Sequence, residues 1–284
     1  MASKPKEQLF EVIKSSGMRA KFSLNKLKSS LRKSGVDDKT IKQIVNIVRD
    51  ELYQGISTKE IYNRAFALLK KKKSVYASKY KLKKAIYELG PTGFPFEQFV
   101  GAVLHYSGYQ VEIGQIIKGK CVSHEVDIIA KKNGEHIIGE CKFHTDHANK
   151  CNVKVPLYIY SRYQDILSYY KENYEIANRP TIGWVVTNTR FTTEALAYGE
   201  CMGLYMLSWD YPIGDGLKDR IDRLGLYPIT VSTLLTNREK QFLLSRDIVL
   251  CRQLINDVFY LDHLGISEIR KNRILIEIQQ LSGA

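Results

Sequence analysis

The sequence predicts an α/β protein, with a core of alternating strands and helices between a basic, mostly helical N-terminal domain and a C-terminal helical domain. Three observations carry this. Capped helical patterns fill most of the first ninety residues, strands and helices alternate from about 94 to 211, and strand signals stop after Asp210. At 284 residues the chain exceeds the roughly 100–200 of one domain, and its boundaries read as 1–90, 91–212 and 213–284.

The opening stretch LFEVIKSSGMRAKF (9–22) alternates around Ser15-Ser16-Gly17, as a small β-hairpin does. Ser23 is placed to cap a helix over Leu24–Lys33 that Gly35 ends. Asp37 or Asp38 caps a second, with Ile41, Ile44, Val45 and Val48 on one face. Ser57 and Glu60 form the capping-box pattern S-x-x-E, opening a helix through Ile61, Ala65 and Leu68 into Lys70–Lys73, where a helix C-terminus favours cations. A fourth helix, from about Tyr76 to Leu89, meets the breaker Gly90-Pro91-Thr92-Gly93.

The net charge of +13 is unevenly spread. Residues 1–90 hold 22 Lys and Arg against 8 Asp and Glu, leaving 21 against 22 for the rest. Nucleic acid or nucleotide phosphate is the expected counter-charge, the alternative being solvated lysine-rich helix faces. With 44% hydrophobic and 26% charged residues the chain reads as globular. No apolar run approaches the ~18 residues of a membrane span, and MASKPKEQLF carries charges where a signal peptide is apolar, so the expectation is a cytoplasmic protein without a membrane partner. Five cysteines without a CxxC pair read as reduced thiols. Cys141, His144, His147 and Cys151 have zinc-ligand chemistry. Cys141 nevertheless lies within a predicted strand and reads first as a small buried hydrophobe.

In the middle segment Phe96, Phe99, Val100, Val103 and Leu104 recur at helical spacing before Gly108. SHEVDIIA and EHIIGECKF then flank Lys131-Lys132-Asn133-Gly134, and Asn-Gly between alternating runs is a strong hairpin signal. A helix near Leu157–Glu172, the buried strand TIGWVVT, a helix over Thr193–Cys201 and the strand LYMLSW follow. With a two-residue turn, Lys132 pairs with Glu135 and Asp127 faces Glu140. Their Cβ atoms would then be about 4.5–5.5 Å apart, close enough to share a divalent cation. Lys142 follows about 6.6 Å along the same face, opposite Glu125. Ile129 and Ile138 share that face nearer the turn, while Val126, Ile128, Gly139 and Cys141 fall on the other. Opposed carboxylates repel without a cation between them. Mg²⁺ or Mn²⁺ can lower the pKa of an attacking water, and a neighbouring ammonium can stabilise a pentavalent phosphate. The same pattern also suits the wet face of an ordinary hairpin, with Lys142 bridging Glu140 and Glu125.

Asp127 followed by Glu140-Cys-Lys142 resembles the active-site motif of the PD-(D/E)xK nuclease superfamily, in particular the Mrr-type restriction endonucleases, over roughly residues 94–211. That resemblance implies a restriction-endonuclease-like mixed-sheet core in the element order α-β-β-β-α-β and a Mg²⁺- or Mn²⁺-dependent DNA endonuclease with Asp127, Glu140 and Lys142 catalytic. It implies that Glu97 assists Asp127 and Glu140 at the metal, and that Gln164 corresponds to a helix glutamine. Thr187, Asn188 and Phe191 match a recurrent T-N-x-x-F-T stretch. Val126 stands where the motif has proline. By analogy the family implies restriction or phage defence, and double-strand cutting implies a homodimer or higher oligomer. His124 and His144 flank the two strands and read as structural as readily as functional.

Residues 10–88 resemble an ATP-cone, through V12-I-K-S-S-G-M-R-A-K-F22 with Lys26 and Leu27, and through Tyr76, Ala77 and Tyr80. That resemblance implies ATP or dATP as a regulatory ligand held by Lys14, Arg19, Lys21 and Lys26, with Ser15 where an arginine is frequent. A small basic DNA-binding domain is the other reading of this segment. Leu264-Gly265-Ile266-Ser267 resembles a helix-hairpin-helix turn, which implies DNA contacts from Arg270, Lys271 and Arg273; an ordinary helical bundle fits equally. The reading is a nucleotide-regulated DNA endonuclease. Its rivals are a nucleotide-responsive DNA-binding regulator that does not cut and an RNA-cleaving nuclease.

Overall fold

The computed structural model describes residues 10–14 and 16–283, so the departure at Ser15 lies outside the described residues. The chain forms two compact units, Met1–Leu82 and Lys83–Ala284, and the second contains both the sheet and the C-terminal helices. Their division falls inside a helix, ahead of Gly90-Pro91.

In the first unit β1 (Glu11–Ile13) pairs antiparallel with β2 (Arg19–Lys21). Then come α1 (Leu24–Lys33), α2 (Asp38–Asp50), α3 (Thr58–Lys72) and α4 (Ser74–Tyr87), the last running on into the second unit. The capping side chains set the helix starts. Ser23 accepts from the Lys26 amide, Asp37 from Thr40 and Ser57 from Glu60, each satisfying a donor that a first turn leaves orphaned. The capping box at Ser57 is only half made. The Glu60 carboxylate accepts instead from Tyr53 Oη at 2.7 Å and from Arg64 at 2.8 Å, an ionic partner that outcompetes an exposed amide. Leu31, Ile44, Val48, Ile56, Ala65 and Leu69 form the centre of this unit's core.

The second unit opens with α5 (Phe94–Tyr106), β3 (Gln110–Lys118), β4 (Ser123–Lys132) and β5 (Glu135–Lys142). It continues with β6 (Lys150–Cys151), α6 (Lys154–Asn173), β7 (Ile182–Thr187), β8 (Arg190–Phe191), α7 (Thr193–Cys201) and β9 (Tyr205–Leu207). The main sheet has the order β3-β4-β5-β7-β9, antiparallel as far as β5 and parallel beyond it, so the predicted α-β-β-β-α-β succession is present. A two-stranded parallel pair, β6 with β8, was not legible, because two residues per strand carry no pattern.

Gly101 of α5 lies against Val111 and Ile113, whereas Tyr163 and Ile166 of α6 pack with Ile129 and Ile138. Ile113 pairs with Ile128, the neighbour of Ile129 along β4, so α5 and α6 cover opposite faces of the sheet. The C-terminal segment is helical, with α8 (Leu217–Leu224), α9 (Asn237–Leu244), α10 (Gln253–Asn256), α11 (Phe259–His263) and α12 (Glu268–Ser282). Among the described residues no helix is long and apolar enough to cross a membrane.

The loop after β5 is fixed by one side chain. Asn188 is fully buried at the end of β7; its carbonyl oxygen accepts from the His144 amide and its Nδ2 donates to the His144 carbonyl, both at 2.8 Å. Thr187 Oγ1 adds a bond to the Lys142 carbonyl at 2.7 Å. Asn188→Ala strands a backbone donor and acceptor together, so it should lower stability by about 2–4 kcal/mol in urea unfolding followed by circular dichroism. A variant within 0.5 kcal/mol of the parent would mean that water replaces the clamp.

Candidate active site

Asn133 (φ 49°) and Gly134 (φ 82°) both take left-handed conformations, as a two-residue hairpin turn of the primed kind requires. The register follows: Lys132 pairs with Glu135, Ile129 with Ile138 and Ile128 with Gly139. Asp127 and Glu140 are the next positions in that register, but the ladder stops before them. On the other side of β4 the ladder with β3 also skips Asp127, where it would meet Gly114, a glycine at φ 63°. The strands part at Asp127, and its carboxylate fills the gap by accepting from the Cys141 amide at 2.7 Å. This break corrects the strict alternation expected of β4. Val126 packs in the cluster of Ile129, Ile138, Tyr163 and Ile166, on the face it was expected to turn away from.

Glu140 is 6% exposed, and both of its oxygens are engaged. Oε1 accepts from Lys142 Nζ at 2.8 Å, and Oε2 pairs with Arg162 Nη1 of α6. Of the two contacts that the wet-face alternative gives Lys142, the ion pair with Glu140 is present and, among the described residues, that with Glu125 is not. Glu97, in the first turn of α5, completes the group. Burial raises its carboxyl to about 7, reinforced by the charges of Asp127, Glu140 and Glu125. Burial and the Glu140 charge raise Asp127 to about 6, against the lowering effect of the Cys141 amide, Lys142 and Arg162. Burial draws Lys142 down, but its hydrogen bond to Glu140 and the charges of Glu140 and Asp127 more than offset this, so its ammonium is held above the ordinary range.

Three of the residues read from the sequence, Asp127, Glu140 and Lys142, therefore come together, with Glu97 coupled to them. Arg162 went unnoticed, although the sequence holds a signal for it. Ile159, Tyr163 and Ile166 are the stripe of α6 buried on the sheet, and Arg162 flanks that stripe. Gln164 stands two residues on, about 200° further round the helix, and its backbone carbonyl accepts from Ser168 Oγ. His124 pairs with Asp165 at 2.7 Å; Asp165 also accepts from the Cys121 and Val122 amides, which makes the pair a clamp on the β3–β4 turn. Burial holds the Cys141 thiol well above its usual range, as expected for a small core hydrophobe. Of the zinc-type set, His144 Nε2 lies 3.4 Å from Cys151 Sγ, while His147 packs on the Tyr87 ring. Among the described residues no group of three His, Cys, Asp or Glu side chains is already gathered in coordinating geometry.

The residues still suit a hard divalent cation. Four carboxyl groups, Glu97, Glu125, Asp127 and Glu140, gather near two cations, Lys142 and Arg162; ionising all four would leave an excess of two negative charges, and Glu97 and Asp127 accordingly resist ionisation. Carboxylate oxygens are the donors that hard cations such as Mg²⁺ or Mn²⁺ prefer, whereas zinc sites draw mainly on nitrogen and sulfur.

In the first unit a cavity of about 230 Å³ has an apolar lining that includes Val12, Phe22, Leu27, Ile61, Tyr62 and Tyr80. Lys14, Lys21 and Lys26 also line it, exposed and with no ion pair among the described residues. Arg19 is not part of the lining and lies 3.9 Å from Glu11. In the C-terminal helices Arg270 forms a two-pronged pair with Glu239 at 2.6 Å and donates to the Leu234 carbonyl. Lys271 pairs with Asp262 and Glu268, and Arg273 alone of the three predicted DNA contacts is exposed and without a recorded ion pair. Facing acids on α9 and α11 take up the first two cations, a tertiary fact that residue order does not reveal.

The raised carboxyls carry a stability consequence. Unfolded Asp and Glu release their protons near pH 3.9 and 4.3. Folded Asp127 and Glu97 keep theirs until about pH 6 and 7, so in that window the folded state binds more protons and its stability falls as pH rises. The histidines lowered by burial, His136, His144 and His147, act in the opposite direction, so the comparison must be made against a variant. In EDTA, Glu97→Gln/Asp127→Asn should gain melting temperature over the parent on going from pH 5 to pH 8, by differential scanning fluorimetry. A gap between the two proteins that does not change with pH would contradict the coupling.

The N-terminal residues 10–88 match the ATP cone domain, and residues 227–282 match a domain described as AF1548-like, C-terminal. An uncharacterized protein of Archaeoglobus fulgidus is 30% identical over 182 residues, spanning 64% of this chain and 98% of that protein. A crystal structure titled as a protein of unknown function, AF1548, superposes with a TM-score of 0.54 at 27% identity, over 68% of this chain and all of that one. The chain thus carries an N-terminal ATP cone and belongs to the same family as this uncharacterized Archaeoglobus fulgidus protein.

Proposed function

We propose that the protein is a divalent-metal-dependent DNA endonuclease with a restriction-endonuclease-like core, regulated by adenine nucleotide bound to its ATP cone. One observation carries the reading: Asp127 and Glu140 are held at a parting of two strands, with Glu97 coupled to them and Lys142 bonded to Glu140. Asp127, Glu140 and Glu97 would hold Mg²⁺ or Mn²⁺, which would supply an acidified water and charge neutralisation at phosphate. Lys142, raised in pKa and therefore cationic at neutral pH, would orient that water and stabilise charge developing on the phosphate. The Cys141 amide keeps Asp127 in place, and the buried flank of Ile129 and Ile138 limits solvent access from one side.

The apolar cavity of the cone suits a purine base, and Lys14, Lys21 and Lys26 suit a polyphosphate. Arg19 belongs to the same reading only through its position on the hairpin. A homodimer is the assembly that double-strand cutting calls for. DNA contacts through Arg270 and Lys271 would require breaking the pairs with Glu239, Asp262 and Glu268, so among the predicted trio only Arg273 remains a direct candidate.

Supercoiled plasmid should be nicked or linearised in Mg²⁺ or Mn²⁺ and left intact in EDTA, with the rate changed by ATP or dATP. Asp127→Asn and Lys142→Ala should each lose about 10²-fold or more. Undiminished cutting by Lys142→Ala overturns the assignment. DNA binding without cutting in every metal favours the regulator, and preference for a labelled RNA favours the RNA nuclease. Separately, Lys21→Ala/Lys26→Ala should weaken ATP binding by about tenfold or more in isothermal calorimetry, each lost charge-assisted contact contributing about 1–3 kcal/mol. Unchanged affinity would move the nucleotide elsewhere.

A further inference from the structure

Arg162 is 15% exposed at its side chain and approaches a carboxylate that is itself 8% exposed, so the pair is largely desolvated. The contact is nevertheless incomplete. A guanidinium presents a planar fork that fits two oxygens of one anion, but Glu140 offers it only Oε2, because Oε1 is taken by Lys142. Among the described residues Arg162 Nε is buried without a hydrogen-bond partner. A buried donor left in this condition costs free energy that an anion with two free oxygens would recover. The guanidinium also sits 5.3 Å from the ring centroid of Tyr158, which is 59% exposed, so the arginine lies beside a surface open to a ligand.

The charges give the pair a second property. Arg162 and a divalent cation make the same demand, the Oε2 lone pairs of Glu140, within a group of four coupled carboxylates. Residues that bind one anion in competition are linked: strengthening one weakens the other.

We propose that Arg162 is an exchangeable counter-ion of the site, competing with the divalent cation for Glu140 and, once displaced, engaging a phosphate of the nucleic acid substrate with both prongs of its fork. This inference rests on the nuclease reading for its substrate, but the competition at Glu140 stands apart from cleavage. Arg162 moves from a one-pronged contact to a two-pronged one, satisfying Nε, and the site keeps its cationic side chain while its carboxylates take the metal. Because the transfer needs no more than rotation of a long side chain about its own stem, α6 can remain packed on the sheet through Ile159, Tyr163 and Ile166.

The test compares the full chain with Arg162→Gln and Arg162→Lys, first in Mn²⁺ titration followed by the electron paramagnetic resonance of free Mn²⁺. Arg162→Gln should bind Mn²⁺ about tenfold more tightly, a change of about 1.4 kcal/mol. The lysine variant, which keeps the charge, should fall between it and the parent. Second, binding of a short DNA duplex in Ca²⁺, measured by fluorescence anisotropy, should weaken several-fold in Arg162→Gln. An arginine that merely packs α6 against the sheet would produce the opposite first result, with looser Mn²⁺ binding and a lower melting temperature. Unchanged or weaker Mn²⁺ binding in both variants overturns the proposal, as does the absence of Mn²⁺ binding in parent and variants alike. Tighter Mn²⁺ binding with no cutting of any nucleic acid by the parent leaves the competition standing and overturns the nuclease reading alone. Should Arg162→Gln fail to fold, the lysine variant decides by the direction of its Mn²⁺ shift.

Discussion

The bond from the Cys141 amide to the Asp127 carboxylate is the interaction on which the candidate site depends. In an uninterrupted hairpin that amide would be satisfied by backbone, and β4 and β5 would stay zipped past Glu140. Here Gly114 turns left-handed opposite Asp127, Asp127 drops out of both ladders, and a side-chain oxygen takes over the acceptor role. A carboxylate fits this position because it has lone pairs to spare: one set satisfies the amide, and the rest face the gap. The same break sends Val126 into the α6-side core, anchoring the diverging strand. The opening is thus built into the sheet and does not depend on a mobile loop.

Once the strands part, charge becomes the limiting quantity. α5 and α6 cover opposite faces of the sheet and deliver one acid and one base to its splayed end, Glu97 and Arg162. Glu140 holds Lys142 and Arg162 in direct ion pairs, while Glu97 and Asp127 make none among the described residues and feel cations only at longer range, so their carboxyls stay raised. A fold selected for stability alone would place an apolar residue or a matching base at these positions. Strained electrostatics concentrated at one end of a sheet, among residues otherwise buried in Phe, Ile and Val, is the pattern expected where a ligand supplies the missing charge.

What was legible in the sequence and what was not divide along a physical line. Helix starts were readable because Ser23, Asp37 and Ser57 act on amides three residues away, and the hairpin register because Asn133-Gly134 permits one turn geometry. Interactions across the fold were not. Glu60 leaving its capping box for Arg64 and Tyr53, Arg270 bound by Glu239, and Arg162 reaching Glu140 from another element each depend on partners that no local spacing identifies. Gln164 illustrates the same limit: a motif position transfers a letter, but the helical phase set by Ile159, Tyr163 and Ile166 turns Arg162 toward the carboxylates in its place.

The distribution of positive charge acquires a meaning that its total lacks. In the second unit many cations are committed to partners, Arg162 to Glu140, Arg190 to Asp210, Arg220 and Arg223 to Asp215, Arg270 to Glu239 and Lys271 to Asp262. In the first, where 22 basic residues meet 8 acidic ones within residues 1–90, no such balance is attainable. Lys14, Lys21 and Lys26 border an apolar cavity, and Lys70, Lys71 and Lys72 follow one another in the last turn of α3. Lys14, Lys21 and Lys26 combine charge with no ion pair among the described residues and a position beside an apolar concavity, which is what the proposed polyphosphate site needs and a solvated basic face lacks. A lysine run on a helix end has charge without concavity, so it attracts anions at long range and holds none in particular. Under the proposed nucleotide reading the cone's specificity would reside in the hairpin and α1, and the remaining basic residues would contribute a field that falls away as salt is raised.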